Sequence, residues 1–457
     1  MATEKKLINN MTEGSLVKQL IIFSFPLIVA NLLQALYNTV DMVVVGQFVG
    51  SSSMAAVSTG GEMFRFFTNM ASGFCMGGQI MIAQHVGAGD RDGIKSCIGT
   101  IFTFILGLSA VLMAVGLSMH STLLSWLNTP AESVEQANSY VVICCIGLPF
   151  IAGYNCVSSV LRGMGDSRHP LVFIAIATGI NLMLDVILVR FFRMGAAGAA
   201  IATVASQGFS VVVSVVFLYR NREAFAFDFK PSSFRPDRRK LVTLVRVGGP
   251  LAIQHIAINI SQLFVTSHIN AYGLAASAVA GVGNRIHSML SIVSSGISSA
   301  GGTMIGQNLA AGKQERAKRI VYVGLAASSV LLVINVTIAL AFPKQIFSLF
   351  NDEKEVLDMA VGFMKIQCWA FLGSALMGPY GSMVNGSGFS ELGLAIGLFD
   401  GVVARVGLSI LMGEVLGMGL NGYFYGNALA RMGSALIQII YFYSGKWRTR
   451  RLLVDKK

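Results

Sequence analysis

The chain has 457 residues, 54% of them hydrophobic and only 12% charged, with 50 glycines and a formal net charge of +12. Soluble domains average about a quarter charged residues and about 7% glycine. Thirty-four basic and 22 acidic residues cannot clothe a soluble body of this size, so the composition excludes an ordinary cytosolic enzyme, a disordered chain and a nucleic-acid binder, and indicates a polytopic membrane protein.

The chain is polar up to Gln19 and leads directly into an apolar segment beginning near Leu20. This opening lacks the short apolar core and small-residue cleavage site of a removable signal peptide. Twelve apolar segments follow in order, at 20–45, 53–83, 95–117, 136–160, 170–190, 196–219, 242–269, 276–306, 320–341, 358–384, 392–413 and 419–443. A spanning helix needs about 20 apolar residues, and the glycines that interrupt several segments are tolerated in membrane helices. The only long polar stretch, Arg220 to Arg246, carries Pro231, Ser232, Ser233 and Pro236 and reads as an exposed linker. The expected fold is an all-α integral membrane protein of 12 transmembrane helices in two pseudo-symmetric six-helix lobes. Its parts are an N-terminal lobe at 1–219 (helices 1–6), a cytoplasmic linker at 220–246, a C-terminal lobe at 247–445 (helices 7–12) and a basic cytoplasmic tail at 446–457.

Basic residues orient the chain. With both termini cytoplasmic, 25 of the 34 lysines and arginines fall on inside segments, and only Arg190, Arg193, Lys344 and Lys354 fall outside. That asymmetry is the positive-inside pattern, so the net charge reports topology.

The two halves repeat. Pro26 is matched by Pro250, Ile82 to Gly89 by Ile305 to Gly312, Leu161 to Gly165 by Val384 to Gly388, and Gly195-x-x-Gly198 by Gly419-x-x-Gly422, each at an offset of 223 or 224. Six spans per half is even, so both halves insert the same way up about an axis along the membrane normal, an architecture that moves solutes by rocking around a midplane cavity.

Charges at membrane depth are costly and mark function. Gln34, Tyr37 and Asp41 are spaced three and four apart and share one helix face, as do Asn181 and Asp185. A carboxylate set among amide and hydroxyl oxygens can take a proton or hold a hard monovalent cation. At the repeat offsets Asp41 corresponds to Val265, Asn181 to Ala404 and Asp185 to Leu408, so this cluster is not duplicated with the scaffold. Asp400, five residues before Arg405, reads as an internal ion pair in preference to a second ion site. Glu62 and Arg65 read as an i,i+3 pair, and His255 either lines the cavity or is a satisfied core histidine. The six cysteines form no C-x-x-C pair and read as small buried hydrophobes. Gly417 to Gly422 fits G-x-G-x-x-G but joins two spans with no strand before it, so it reads as a tight turn. The glycine pairs Gly73/Gly77, Gly397/Gly401 and Gly422/Gly426 fit close helix packing. No arrangement is catalytic and no nucleotide loop is present, so the chain is not an enzyme, and transport must draw on an ion gradient.

Pro26 to Gly50, with Gln34, Tyr37-Asn38, Val40-Asp41 and Val45-Gly46, resembles the first-helix signature of multidrug and toxic compound extrusion (MATE) transporters. Leu161 to Asp166 with Pro170, Ile180-Asn181-x-x-Leu184-Asp185, Met194 to Thr203, and Gly306 through Ala317 are similar to later motifs of the same family. The likeness is to the prokaryotic DinF-like branch and covers nearly the whole chain. It implies a secondary active multidrug efflux antiporter that exports organic, mostly cationic and amphipathic compounds in exchange for H⁺ or Na⁺. It further implies a cation-coupling set at Asp41, Asn181, Asp185 and Thr203, which are metal ligands only if the coupling ion is Na⁺. Gln34, Tyr37 and Asn155 are assigned to the substrate cavity and Pro26 to a kink in helix 1. No cofactor is expected. The partners expected are small organic substrates and the lipid bilayer, with no nucleic acid, for a monomer in the prokaryotic cell (inner) membrane. The alternative is a lipid-linked oligosaccharide flippase of the same superfamily, disfavoured because in-span basic residues are few and scattered.

Overall fold

The computed structural model describes residues 8–454 except 50, 127, 128, 130 and 226, without the side chains of 38, 41–43, 51, 52 and 131. All regular structure among the described residues is helical. Among those residues the twelve expected spans are twelve long helices: α1 (Leu16–Phe48), α2 (Ser51–Ala88), α3 (Arg91–Trp126), α4 (Val134–Gly163), α5 (Arg168–Phe191), α6 (Gly195–Arg220), α7 (Arg238–Asn270), α8 (Leu274–Ala310), α9 (Gln314–Ala341), α10 (Lys354–Gly386), α11 (Ser390–Val415) and α12 (Leu420–Ser444). Nine of these helices, taken over the described residues, are long and apolar enough to cross a membrane by length and composition. Most extend beyond the apolar runs read from sequence, because a helix does not end where the hydrocarbon does.

The chain divides into two compact units, one of 1–10 with 29–252 and one of 11–28 with 253–457. The division cuts α1 after Ile28 and α7 after Ala252, in each case just beyond the proline inside the helix, Pro26 or Pro250. Within the first unit α4 is central and packs against α2, α3 and α6, while α5 lies on α6. Within the second, α10 packs in the same way against α8, α9 and α12, and α11 lies on α12. The repeat seen in sequence is thus a repeat of packing. Its most legible motifs are helix stops, for Gly89 and Gly312 both take positive φ, +69° and +74°. That conformation suits glycine because it has no Cβ.

The register between halves shifts inside α11. Gly165 and Gly388 are related by an offset of 223, whereas Gly195 and Gly419 are related by 224, as are the ends of α5 and α11. Both helices finish in wide turns closed by i→i+5 hydrogen bonds, Val186–Phe191 and Leu411–Val415. Only α11 has a further wide stretch, Phe399–Gly407. A wide turn takes up an extra residue, so we place the insertion there. Beyond it the counterpart of Asp185 is Ser409 at an offset of 224, not the Leu408 expected from the offset of 223. Asn181 falls opposite Ala404–Arg405.

The segment before α7 is docked on α3 rather than loose. Asp228 accepts a hydrogen bond from Lys95 at 2.8 Å, and Thr103 donates to the Phe234 carbonyl at 2.6 Å. A Cβ added at Gly99 would collide with the Ser233 carbonyl oxygen. Lys240 Nζ stands 2.9 Å from His85 Nε2, and His85 Nδ1 stands 3.0 Å from Asp90. The segment before α1 docks similarly on the α8–α9 corner, where Met11 N–H donates to Gln307 at 2.9 Å and Asn308 donates to the Met11 carbonyl at 3.2 Å.

Candidate functional site

Asn181 and Asp185 lie one turn apart on α5, and Thr203 lies on α6, which packs against it. All three are buried; Asn181 and Asp185 are 0% exposed. Asp185 is the last residue of the regular helix before the wide turn begins. Wide turns recur at functional sites because they re-aim side chains locally. Asp41 lies on α1, but its side chain is outside the described residues. Gln34 is half-buried and Tyr37 buried, one turn apart on α1. Asn155 is half-buried on α4, the helix that packs against α6. Pro26 is buried inside α1. A buried carboxylate flanked by amide and hydroxyl oxygens offers hard ligands to a monovalent cation and an acceptor to a proton.

The stripe along α6 continues past Thr203 to Gln207, Ser210 and Ser214, all buried. Gln207 is the residue sequence reasoning missed. Its Oε1 is buried with no hydrogen-bond partner among the described residues. The signal was available as a polar residue one turn after Thr203 on the same face.

The second unit holds a different arrangement at the same place. Asp400 and Arg405 form a buried ion pair, Nη2 to Oδ1 at 2.6 Å. In a regular helix residues five apart point about 140° away from each other; the wide turn at Phe399–Gly407 stacks them instead. Arg405 also donates to Asn427 at 2.5 Å and to Gln262 at 3.2 Å, and Ser434 donates to the other Asp400 oxygen at 2.9 Å. At the later of the two registers, the one that aligns Gly195 with Gly419, Asn427, Arg431 and Ser434 of α12 are the counterparts of Thr203, Gln207 and Ser210 of α6. His255 is exposed on α7, not a core residue. Glu62 and Arg65 pair on the surface of α2. All six cysteines are free. Among the described residues no three histidines, cysteines or acidic groups gather to hold a metal. The glycine pairs serve packing: a Cβ at Gly73 or Gly77 would meet the backbone of α7, and one at Gly422 or Gly426 that of α11.

The family model MatE matches residues 26–187 and again 250–411. The two matches share one offset at both ends, and it is the register that pairs Asp185 with Ser409. The chain is 27% identical to the probable multidrug resistance protein YoeA of Bacillus subtilis, over 99% of this chain and 97% of that one. It is 22% identical to the multidrug export protein MepA of Staphylococcus haemolyticus, over 97% and 96%. A solved structure described as the outward-facing conformation of a multidrug resistance MATE family transporter of the MOP superfamily superposes with a TM-score of 0.90 at 21% identity, covering 100% of both chains. A crystal structure of MATE in complex with MaD3S gives 0.90 at 22% identity, over 98% of this chain and 100% of that one. At such identities the structural likeness shows a common fold.

Proposed function

The chain belongs to the MatE family of transporters, and from that premise we propose that it is a secondary active multidrug efflux antiporter, exchanging organic, mostly cationic and amphipathic compounds for H⁺ or Na⁺. The observation that carries the coupling is Asp185, wholly buried one turn from Asn181, at a position that holds serine in the other half. Desolvation makes a bare carboxylate there costly, and a proton or a cation relieves the cost. Binding of either therefore shifts the balance between conformations that differ in how Asp185 is solvated. Asp41, Asn181 and Thr203 supply the further oxygens, with Gln34, Tyr37 and Asn155 facing substrate. Pro26 supports a hinge in α1, since proline removes a helical hydrogen bond. The names of the relatives, multidrug resistance and export proteins, support the substrate class. The asymmetry of basic residues supports cytoplasmic termini in a prokaryotic cell membrane, and the reading is of a monomer with no cofactor.

The test uses purified protein in proteoliposomes, with a proton gradient or a sodium gradient imposed separately over a panel of cationic dyes. Asp185→Asn and Asp41→Asn are each expected to abolish gradient-driven dye movement while leaving the protein folded. Unchanged gradient-driven transport in both variants sinks the proposal.

A further inference from the structure

A cavity of about 60 Å³ lies within the second unit among α8, α9 and α10, with walls that are mainly apolar and carry a set of polar side chains. Its polar lining is His287, Ser291, Ser294, Ser328, Asn335 and Ser374. At the register that aligns Gly165 with Gly388, and so relates α2–α4 to α8–α10, the counterparts of His287, Ser328 and Ser374 are Phe64, Ile105 and Ile151. Gln367, which hydrogen-bonds His287, stands opposite Cys144. Of this polar lining only Ser291 keeps a hydroxyl counterpart, Thr68; elsewhere the first unit places apolar side chains, so the scaffold itself does not require most of the polarity.

The hydrogen bonds decide what the cavity offers. Gln367 Nε2 lies 3.0 Å from His287 Nδ1 and can only donate, so Nδ1 accepts and the imidazole proton sits on Nε2. Nε2–H then donates to Ser291 Oγ at 2.8 Å, which leaves the Ser291 hydroxyl proton for another acceptor. Ser294 spends its proton on the Ser374 carbonyl at 2.7 Å. Ser328, 3% exposed, and Ser374 have hydroxyl oxygens that are buried without a partner among the described residues. The cavity thus presents O–H and amide N–H donors and no carboxylate.

The electrostatic setting is positive. Arg405 and Arg431 both act on His287 from α11 and α12. Asp400 is bound by Arg405 and is also the carboxylate that acts on Arg431, so one acidic group faces two guanidinium groups. The Arg431 Cβ lies against Gly373, the neighbour of Ser374. Two buried cations that share one carboxylate are incompletely balanced and costly, and hydrogen-bond donors facing a positive interior suit an anion. The volume admits a small ion, since a single water needs only about 10–15 Å³ of such space.

We propose that this cavity binds a small monovalent anion, for which chloride is the probe, and that the anion balances the excess positive charge of the second unit. The site is independent of the cation-coupling residues.

The experiment follows thermal unfolding of the purified full chain in lipid nanodiscs, replacing sodium gluconate by sodium chloride or bromide at constant sodium and ionic strength. A saturable rise in the unfolding midpoint with chloride and with bromide is expected. Ser328→Ala and Ser374→Ala are each expected to raise the half-saturating chloride concentration by about tenfold, the value of one hydrogen bond to a charged group. Ser109→Ala, a buried serine of α3, controls for loss of a hydroxyl elsewhere and is expected to leave the response unchanged. Anomalous scattering from bromide is expected among Ser291, Ser328 and Ser374. Midpoints that are equal in chloride and gluconate overturn the proposal, and so does a chloride response that both cavity variants retain in full.

Discussion

In the first unit α5 carries Asn181 and Asp185 into the interior beside α6, whose face adds Thr203 and Gln207. In the second unit the corresponding turns of α11 and α12 carry Arg405, Ser409, Asn427 and Arg431, with Asp400 clamped to Arg405 at 2.6 Å. One scaffold therefore buries a carboxylate near amide and hydroxyl side chains in one half, and a carboxylate with guanidinium groups in the other. A buried carboxylate already fixed to arginine has little left to offer a proton or a metal cation. On the proposed function the duplicated fold divides labour: Asp400 is held by Arg405, whereas Asp185 is the carboxylate we assign to coupling.

The comparison breaks first at the carboxylates. Asp400→Asn leaves Arg405 buried and short of its counter-charge, and loss of one partner of a buried pair costs about 3–5 kcal/mol. We expect a large fall in the unfolding midpoint, whereas Asp185→Asn holds its midpoint and loses only gradient-driven transport. Replacing both partners, Asp400→Leu with Arg405→Leu, is expected to recover most of the stability, since apolar pairs substitute well for buried ion pairs. Should Asp400→Asn keep its stability and lose coupling instead, the division of labour between the halves is wrong.

The same comparison can be sharpened at Gln207. Gln207→Arg gives α6 the side chain that α12 carries at the matching place, adding a cation beside the proposed coupling residues. Transport is expected to fall at least tenfold, with Gln207→Leu falling less, because only the first opposes a bound cation electrostatically. Equal transport rates in the two variants in the dye assay would reduce Gln207 to a packing residue.

Sequence made the helices legible because bilayer thickness imposes their length, and it made the repeat legible because left-handed corners such as Gly89 and Gly312 demand the same residue in both halves. Asn181 and Asp185 were legible through their four-residue spacing on one helix. The counterpart of Asp185 was misread as Leu408, since a single extra residue absorbed by a wide turn is invisible in an ungapped comparison. His287 is not legible because an uncharged polar residue in an apolar run costs little if it is hydrogen-bonded, so its presence alone signals nothing, whereas Gln207 carries a signal only through its spacing after Thr203. The docked linker escaped notice for a related reason: polar composition reads the same whether the backbone is solvated or seated on Gly99.

That seat supplies the next test. The Cβ of Gly99→Ala would collide with the Ser233 backbone carbonyl oxygen, so the linker must move away from α3. Overpacking of this kind costs about 1–3 kcal/mol. Amide exchange over residues 227–237 is expected to speed up strongly, with the core of α9, the matching helix of the other half, unchanged. Unaltered protection of the linker would mean that its docking is not governed by this contact.

The smallest expected effect concerns the charge that fastens the same segment. Hydrogen bonds from the Lys95 ammonium and then the Ser233 hydroxyl hold the Asp228 carboxyl below its ordinary value of 3.8. A carboxyl whose pKa is lower folded than unfolded contributes its stabilisation in full above the unfolded value and loses it as pH falls towards the folded one. Linker protection should therefore be constant from about pH 7 to about pH 5 and weaken below about pH 4. Asp228→Asn should be less protected at neutral pH and lose this part of the acid dependence. Both groups are partly exposed, 34% for Asp228 and 40% for Lys95, so salt should shrink the difference between the proteins. Amide exchange of both proteins across that pH range at low and high salt checks it. Identical acid dependence in the two would assign the fastening to the backbone contacts at Gly99 and Thr103 alone.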